Sequence, residues 1–140
     1  MKSCVLFLSA GCALQSWTVP QPYFSTKQPH DVFARAVAAT EKHCGGVRDV
    51  NEESGIISSL WIAWNTGDGL VLTKCMVTLL NGDAHVRDVR VTFAARRCPL
   101  SDMDDLAALA PTCEVADSVP EQVKNGLQRT GAQLERDIAR

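Results

Sequence analysis

From Val47 to Ala95 the chain alternates strand-like runs with short polar turns, and nothing else in the sequence restricts its fold as much. The runs are Val47 to Val50, Ile56 to Trp64, Leu70 to Leu80 and His85 to Ala95. Asn51-Glu52-Glu53-Ser54-Gly55 and Asn65-Thr66-Gly67-Asp68-Gly69 separate the first three. Asn81-Gly82 separates the last two and is a strong hairpin signal, because both residues tolerate positive φ. Turns this short join neighbouring strands that run antiparallel, so the runs predict a four-stranded meander. In the last strand Val89, Val91 and Phe93 alternate with Asp88, Arg90 and Thr92. In the second, strict alternation places Ile56, Leu60, Ile62 and Trp64 on one face and Ser59 and Trp61 on the other. A sheet with one apolar face needs a cover.

Two amphipathic segments can supply it. From Asp31 to His43, Phe33, Ala36, Val37 and Thr40 recur at helical spacing, and Gly45-Gly46 follows as a stop. Near the end, Ser118-Val119-Pro120-Glu121 has capping-box spacing, followed by Val123, Leu127, Thr130, Leu134 and Ile138 on one face. Gly126 and Gly131 weaken this second helix by ~1 kcal/mol each relative to Ala, so it depends on packing. The expected fold is α+β: a four-stranded antiparallel meander covered by an N-terminal and a C-terminal helix. A length of 140 residues fits one such domain, assigned here to 31–140.

The first residues read as an address. Lys2 gives a positive start, Val5 to Leu8 an apolar stretch, and Ser9-Ala10-Gly11 leads to Cys12. Ser9-Ala10-Gly11-Cys12 resembles the lipobox of bacterial lipoproteins. The resemblance implies a signal peptide over 1–11 and acylation of Cys12, including a diacylglycerol on sulfur. It further implies lipid anchoring in the cell envelope, with Ala13 favouring the outer membrane, facing the periplasm. Two other readings stay open: a buried first strand over Cys4 to Leu8, or cleavage without lipid after Ala13. Residues 12–30, with Pro20, Pro22 and Pro29, read as an extended spacer between anchor and domain. Tyr23 and Phe24 favour partial docking of that spacer on the domain, while Trp17 suits the lipid headgroup region equally well.

Phe33, Gly45-Gly46, Asp49, Gly55-Ile56 and Trp61 resemble a loose pattern of small envelope lipoproteins, among them component C of the outer-membrane barrel-assembly machinery. That resemblance implies a non-enzymatic envelope role with a protein partner.

Export would leave four cysteines in the domain, Cys44, Cys75, Cys98 and Cys113, an even number that predicts two disulfides. Three connectivities are possible. Cys98–Cys113 has a geometric basis: a short helix to about Leu109 and the extended run Ala110 to Thr112 cover similar distances, so the ends can meet. Cys44–Cys75 then follows by elimination.

Catalytic signatures do not occur. There is no Gly-x-Ser-x-Gly elbow, His-Glu-x-x-His helix, phosphate-cradling glycine loop or Cys-x-x-Cys. His30, His43 and His85 are scattered, and Asp102, Asp104 and Asp105 read as a helix start rather than a calcium loop. No enzyme activity, cofactor or metal is expected. A net charge of -2, from 14 basic and 16 acidic residues, disfavours nucleic acid as a partner. Trp61 is the expected partner-binding residue, provided the last helix does not cover its face. The alternative function is a soluble module enclosing a small apolar ligand between sheet and helix.

Overall fold

The computed structural model describes residues 16–18, 28–81, 86–100 and 104–139. The signal-like residues, Cys12, Gly82 of the hairpin turn, His85 and Asp102 lie outside them.

The first helix, α1, spans Pro29–His43. It starts before Asp31 because Pro29 occupies the first turn, where its fixed φ suits a helix and its missing N–H costs nothing. It buries Val32, Phe33, Ala36, Ala39 and Thr40. The Thr40 hydroxyl donates to the Ala36 carbonyl (2.8 Å), which lets a polar residue sit in the core.

Five strands carry the expected meander: β2 (Val47–Asn51), β3 (Ile56–Ser59), β4 (Ile62–Asn65), β5 (Leu70–Asn81) and β6 (Val86–Cys98). All neighbours are antiparallel. Two short strands, β1 (Ser16–Thr18) and β7 (Glu114–Val115), both pair with β6, giving seven strands in one sheet among the described residues. The path runs β1-β6-β5-β3-β2, with β4 also beside β5. The 12–30 stretch therefore contributes a docked strand at Ser16–Thr18 and the first two residues of α1, so the folded part begins before Asp31.

The expected second strand is two strands. Ser58 pairs with Met76, but Ile62 pairs with Thr73, so the β3–β4 side holds one extra residue. A bulge of this kind reverses which face each later side chain takes. Ile57 and Ser59 thus share the helix-covered face with Ile62 and Trp64, while Ile56 and Trp61 take the other. This corrects the strict alternation, which grouped Ile56 with Ile62 and Ser59 with Trp61. Ser59 repairs the gap in the ladder. Its buried hydroxyl accepts the Cys75 N–H at 2.9 Å and donates to the Leu60 carbonyl at 2.8 Å.

The last helix, α3, spans Glu121–Ala139 and lies against α1 and β6. It buries Val123, Leu127, Leu134 and Ile138. These meet Val71, Cys75, Val77 and Leu79 of β5 and Val89, Val91, Phe93 and Ala95 of β6 in the main core. Both helices cover one face, as the α+β expectation requires. Among the described residues no helix is long and apolar enough to cross a membrane.

Gly126 is placed by packing rather than by turn geometry. A Cβ there would lie 2.5 Å from Trp64 Cη2 and 3.1 Å from Cζ3. The ring is held in turn by Nε1, which donates to Thr73 Oγ1 at 2.9 Å. Gly126→Ala gains about 1 kcal/mol of helix propensity, but forcing the ring aside costs ~1–3 kcal/mol. The variant should therefore be less stable in a urea titration, and a gain in stability would show that the ring yields freely.

A smaller cluster fills the opposite face at one end of the sheet. Leu72, Cys98, Leu109, Ala110 and Cys113 form it, with Trp61, Leu70 and Leu106 packed against them. Its cover is the short helix α2 (Leu106–Leu109) and a 3-10 turn over Ala110–Thr112. The Asp105 carboxylate caps α2, accepting from the Ala107 and Ala108 N–H groups at 3.1 and 3.3 Å.

Candidate functional site

The pairing register of β5 and β6 sorts their side chains into two sets. Val71, Thr73, Cys75, Val77 and Leu79 of β5 and Val89, Val91, Phe93 and Ala95 of β6 are buried on the face that α1 and α3 cover. Even-numbered ones face away, and Lys74, Met76, Thr78 and Leu80 of β5, with Thr92, Ala94 and Arg96 of β6, are all half-buried. Ile56 of β3 joins this face and is 39% exposed. The result is a sheet surface of mixed apolar and polar character that, among the described residues, is closed only at one end, by α2 and the small cluster.

Trp61 stands where the closed end meets the open surface. It is half-buried, packed on the Leu72 cluster, with Lys74 Nζ 5.0 Å from its ring centroid. That is cation–π distance, and it holds the lysine head over the indole. The extra residue between β3 and β4 is what turns Trp61 to this side. The last helix does not pack there; α2 and its neighbours cover part of the ring instead. Other charges on this face are tied locally. Arg90 Nε donates to Asp88 at 3.2 Å, and Arg96 Nη1 to the Cys113 carbonyl at 3.0 Å.

The predicted cysteine pairs are both present, as Cys44–Cys75 and Cys98–Cys113. Cys44 closes the end of α1, and its N–H donates to the Thr40 carbonyl at 2.9 Å. Cys75 sits mid-β5 and points into the core, so this bridge pins the helix to the sheet. Cys98–Cys113 fastens the α2 segment onto the end of β6. Among the described residues no cysteine is free.

Two histidine contacts were not legible in the sequence. His43 Nε2 lies 2.6 Å from Asp137 Oδ2, joining the ends of α1 and α3 across 94 positions. His30 Nδ1 lies 2.6 Å from Glu52 Oε2, joining the start of α1 to the β2–β3 turn. Neither spacing carries a local signal, because each pair forms only when separate elements meet. The hydrogen bond to Glu52, reinforced by its charge, raises the His30 pKa above the ordinary histidine value. A raised value means the charged pair favours the fold below the ordinary histidine pKa. That contribution is lost as pH rises through the raised one. In Glu52→Gln the His30 ring protons should titrate nearer the ordinary range by NMR; an unshifted titration would show that Glu52 does not hold the proton.

A groove of about 390 Å³ lies between the helices, lined by Arg35, Ala38, Ala39, Lys42, His43, Arg136 and Asp137. Arg35 Nη1 donates to the Ile138 carbonyl at 3.3 Å, so part of this charge complements the C-terminal end of α3. The groove is lined by the two helices alone, so it is not the sheet–helix cavity of the small-ligand alternative.

No family model matches the chain, and no curated protein matches it. Among solved structures the chain is similar to a TBP-like protein from Parabacteroides distasonis. Identity is 14% and the TM-score 0.43, over 98% of this chain and 97% of that one.

Proposed function

We propose that this chain is an envelope lipoprotein: exported, acylated at Cys12, and displayed on the periplasmic side of the outer membrane as a non-catalytic binding module. The observation that carries the reading is the pair of disulfides, Cys44–Cys75 and Cys98–Cys113. Such bridges persist in oxidising compartments and are rare where cytosolic thiol systems operate. The lipobox-like Ser9-Ala10-Gly11-Cys12 supplies the route of export and the site of attachment. Two or more acyl chains make attachment stable, since each buried methylene contributes ~0.8 kcal/mol.

The partner in this reading is another envelope protein, received on the open sheet face. Trp61, Met76 and Leu80 offer apolar contact there, with Lys74 beside them. Half-buried aromatics of this kind act as anchors because they present a large rigid area at little entropic cost.

Growth of a producing bacterium with labelled palmitate tests the reading. The parent chain should take up label, Cys12→Ala should not, and the mature peptide should begin at an acylated residue 12. An unlabelled chain that keeps Met1 and titrates with free thiols would overturn it.

A further inference from the structure

We infer that the domain lies directly on the bilayer, resting on the β1–β7 edge of the sheet beside the Cys98 end of β6, with Leu100 and Val115 in the membrane interface. This deepens the proposed function and rests on acylation of Cys12.

The leash between anchor and sheet is short. Ser16 is already part of the sheet, paired with Thr92. Cys12 is four positions earlier in the sequence, a span of at most ~14 Å even when fully extended. A diacylglycerol on Cys12 sits with its acyl chains in the hydrocarbon, beneath an interfacial layer of about 6 Å per leaflet. Ser16 is then held within about 8 Å of the outer headgroup surface, less than two strand spacings. A spacer of many residues would let the domain swing clear of the membrane, and this leash does not.

Direction selects which part of the edge is nearest. β1 runs antiparallel to β6, with Ser16 opposite Thr92 and Thr18 opposite Arg90. The chain therefore enters β1 from the side of Phe93 to Cys98, away from the β5–β6 hairpin. At that end β7 pairs Glu114 with Arg97 and Val115 with Arg96. Val115 is 43% exposed there, and Leu100, two residues beyond the end of β6, is 56% exposed. Among the described residues the other large exposed apolar side chains, Val50, Ile56 and Leu60, lie on or beside β2 and β3 at the far side of the sheet. Charges at the near end are mixed, with exposed Arg97 opposite exposed Glu114, so apolar contact is what this rim offers the interface. Seated in this way, the sheet stands with its open face directed sideways, where a protein partner can reach it.

The test uses the full acylated chain in phosphatidylcholine–phosphatidylglycerol vesicles whose acyl chains are brominated. Leu100→Trp and, separately, Val115→Trp report from the rim, and Glu53→Trp reports from the β2–β3 turn. Each is read as the emission that a variant loses between unbrominated and brominated vesicles, less the loss of the parent chain, whose Trp17, Trp61 and Trp64 set the background. Both rim reporters should be quenched and blue-shifted, and the turn reporter should not. Inserting about 20 Gly/Ser residues between Cys12 and Ser16 lengthens the leash to roughly 25 Å in root-mean-square span. Rim quenching should then disappear while the chain still floats with the vesicles. Rim reporters quenched no more than Glu53→Trp, in a chain shown by mass to carry its lipid, would overturn the inference and leave the lipoprotein reading standing. A chain without lipid on Cys12 overturns both, and the mass distinguishes the two failures.

Discussion

Replacing Cys44 and Cys75 together by Ala should destabilise the domain more than any exposed substitution. The bridge closes a loop across 31 positions, and chain-entropy arithmetic puts its contribution at about 4 kcal/mol. For Cys98–Cys113, across 15 positions, the same arithmetic gives about 3 kcal/mol. The first loss also falls on a more central joint. Cys44 ends α1 and Cys75 lies mid-β5, each 1% exposed, so the pair ties a covering helix to the sheet. Urea unfolding of Cys44→Ala/Cys75→Ala should show a lower midpoint than Cys98→Ala/Cys113→Ala. The reverse order would mean that the α2 flap, not the helix–sheet joint, limits stability. Burial has a kinetic consequence as well. Under native conditions both bridges should resist reductant until the protein opens, with thiols appearing at the rate of unfolding.

Gly55→Ala should cost about 3 kcal/mol, and the cost should be felt at β5 rather than in the turn alone. Gly55 has φ +74°, a region that costs an L-residue with a Cβ roughly 1–2 kcal/mol. The added methyl would also press into the Leu79 carbonyl oxygen. That atom is main chain and cannot rotate away. The close approach exists because the Leu79 N–H donates to the Gly55 carbonyl at 2.7 Å, a bond worth about 1 kcal/mol net. Asn51 completes the turn: its side chain accepts the Ser54 N–H at 3.0 Å and its carbonyl the Gly55 N–H at 2.9 Å. Hydrogen exchange in the variant should accelerate at Leu79 and its neighbours. A destabilisation below 1 kcal/mol would show that the turn can move away from β5 without loss.

Much of this architecture was readable because it is written in local periodicity. The alternating runs of β5 and β6 show in the sequence, since a half-covered sheet sorts apolar from polar residues with period two. The two long helices show for the same reason at their own period. The short strands β1 and β7 did not. With three and two residues they contain no period, and they are strands only because the outer edge of β6 accepts them. Trp61 could be singled out, but its side of the sheet depends on a bulge at Leu60 that no residue type announces. The tie between His43 and Asp137 likewise joins elements whose meeting place is set by the whole core.

By itself the sequence determined the two long helices, the runs that became β2, β5 and β6, their order, and the pairing of Cys98 with Cys113 through a loop short enough to measure. Tertiary structure alone decided which face each residue after the bulge would take, why Gly126 must lack a side chain, and where the chain leaves the sheet towards Cys12. The division has one physical origin. Periodicity, turn chemistry and loop length act over a few residues and leave their mark in order along the chain. Register, ring packing and edge pairing are settled between segments far apart in sequence, where the available space is defined only after the rest has folded.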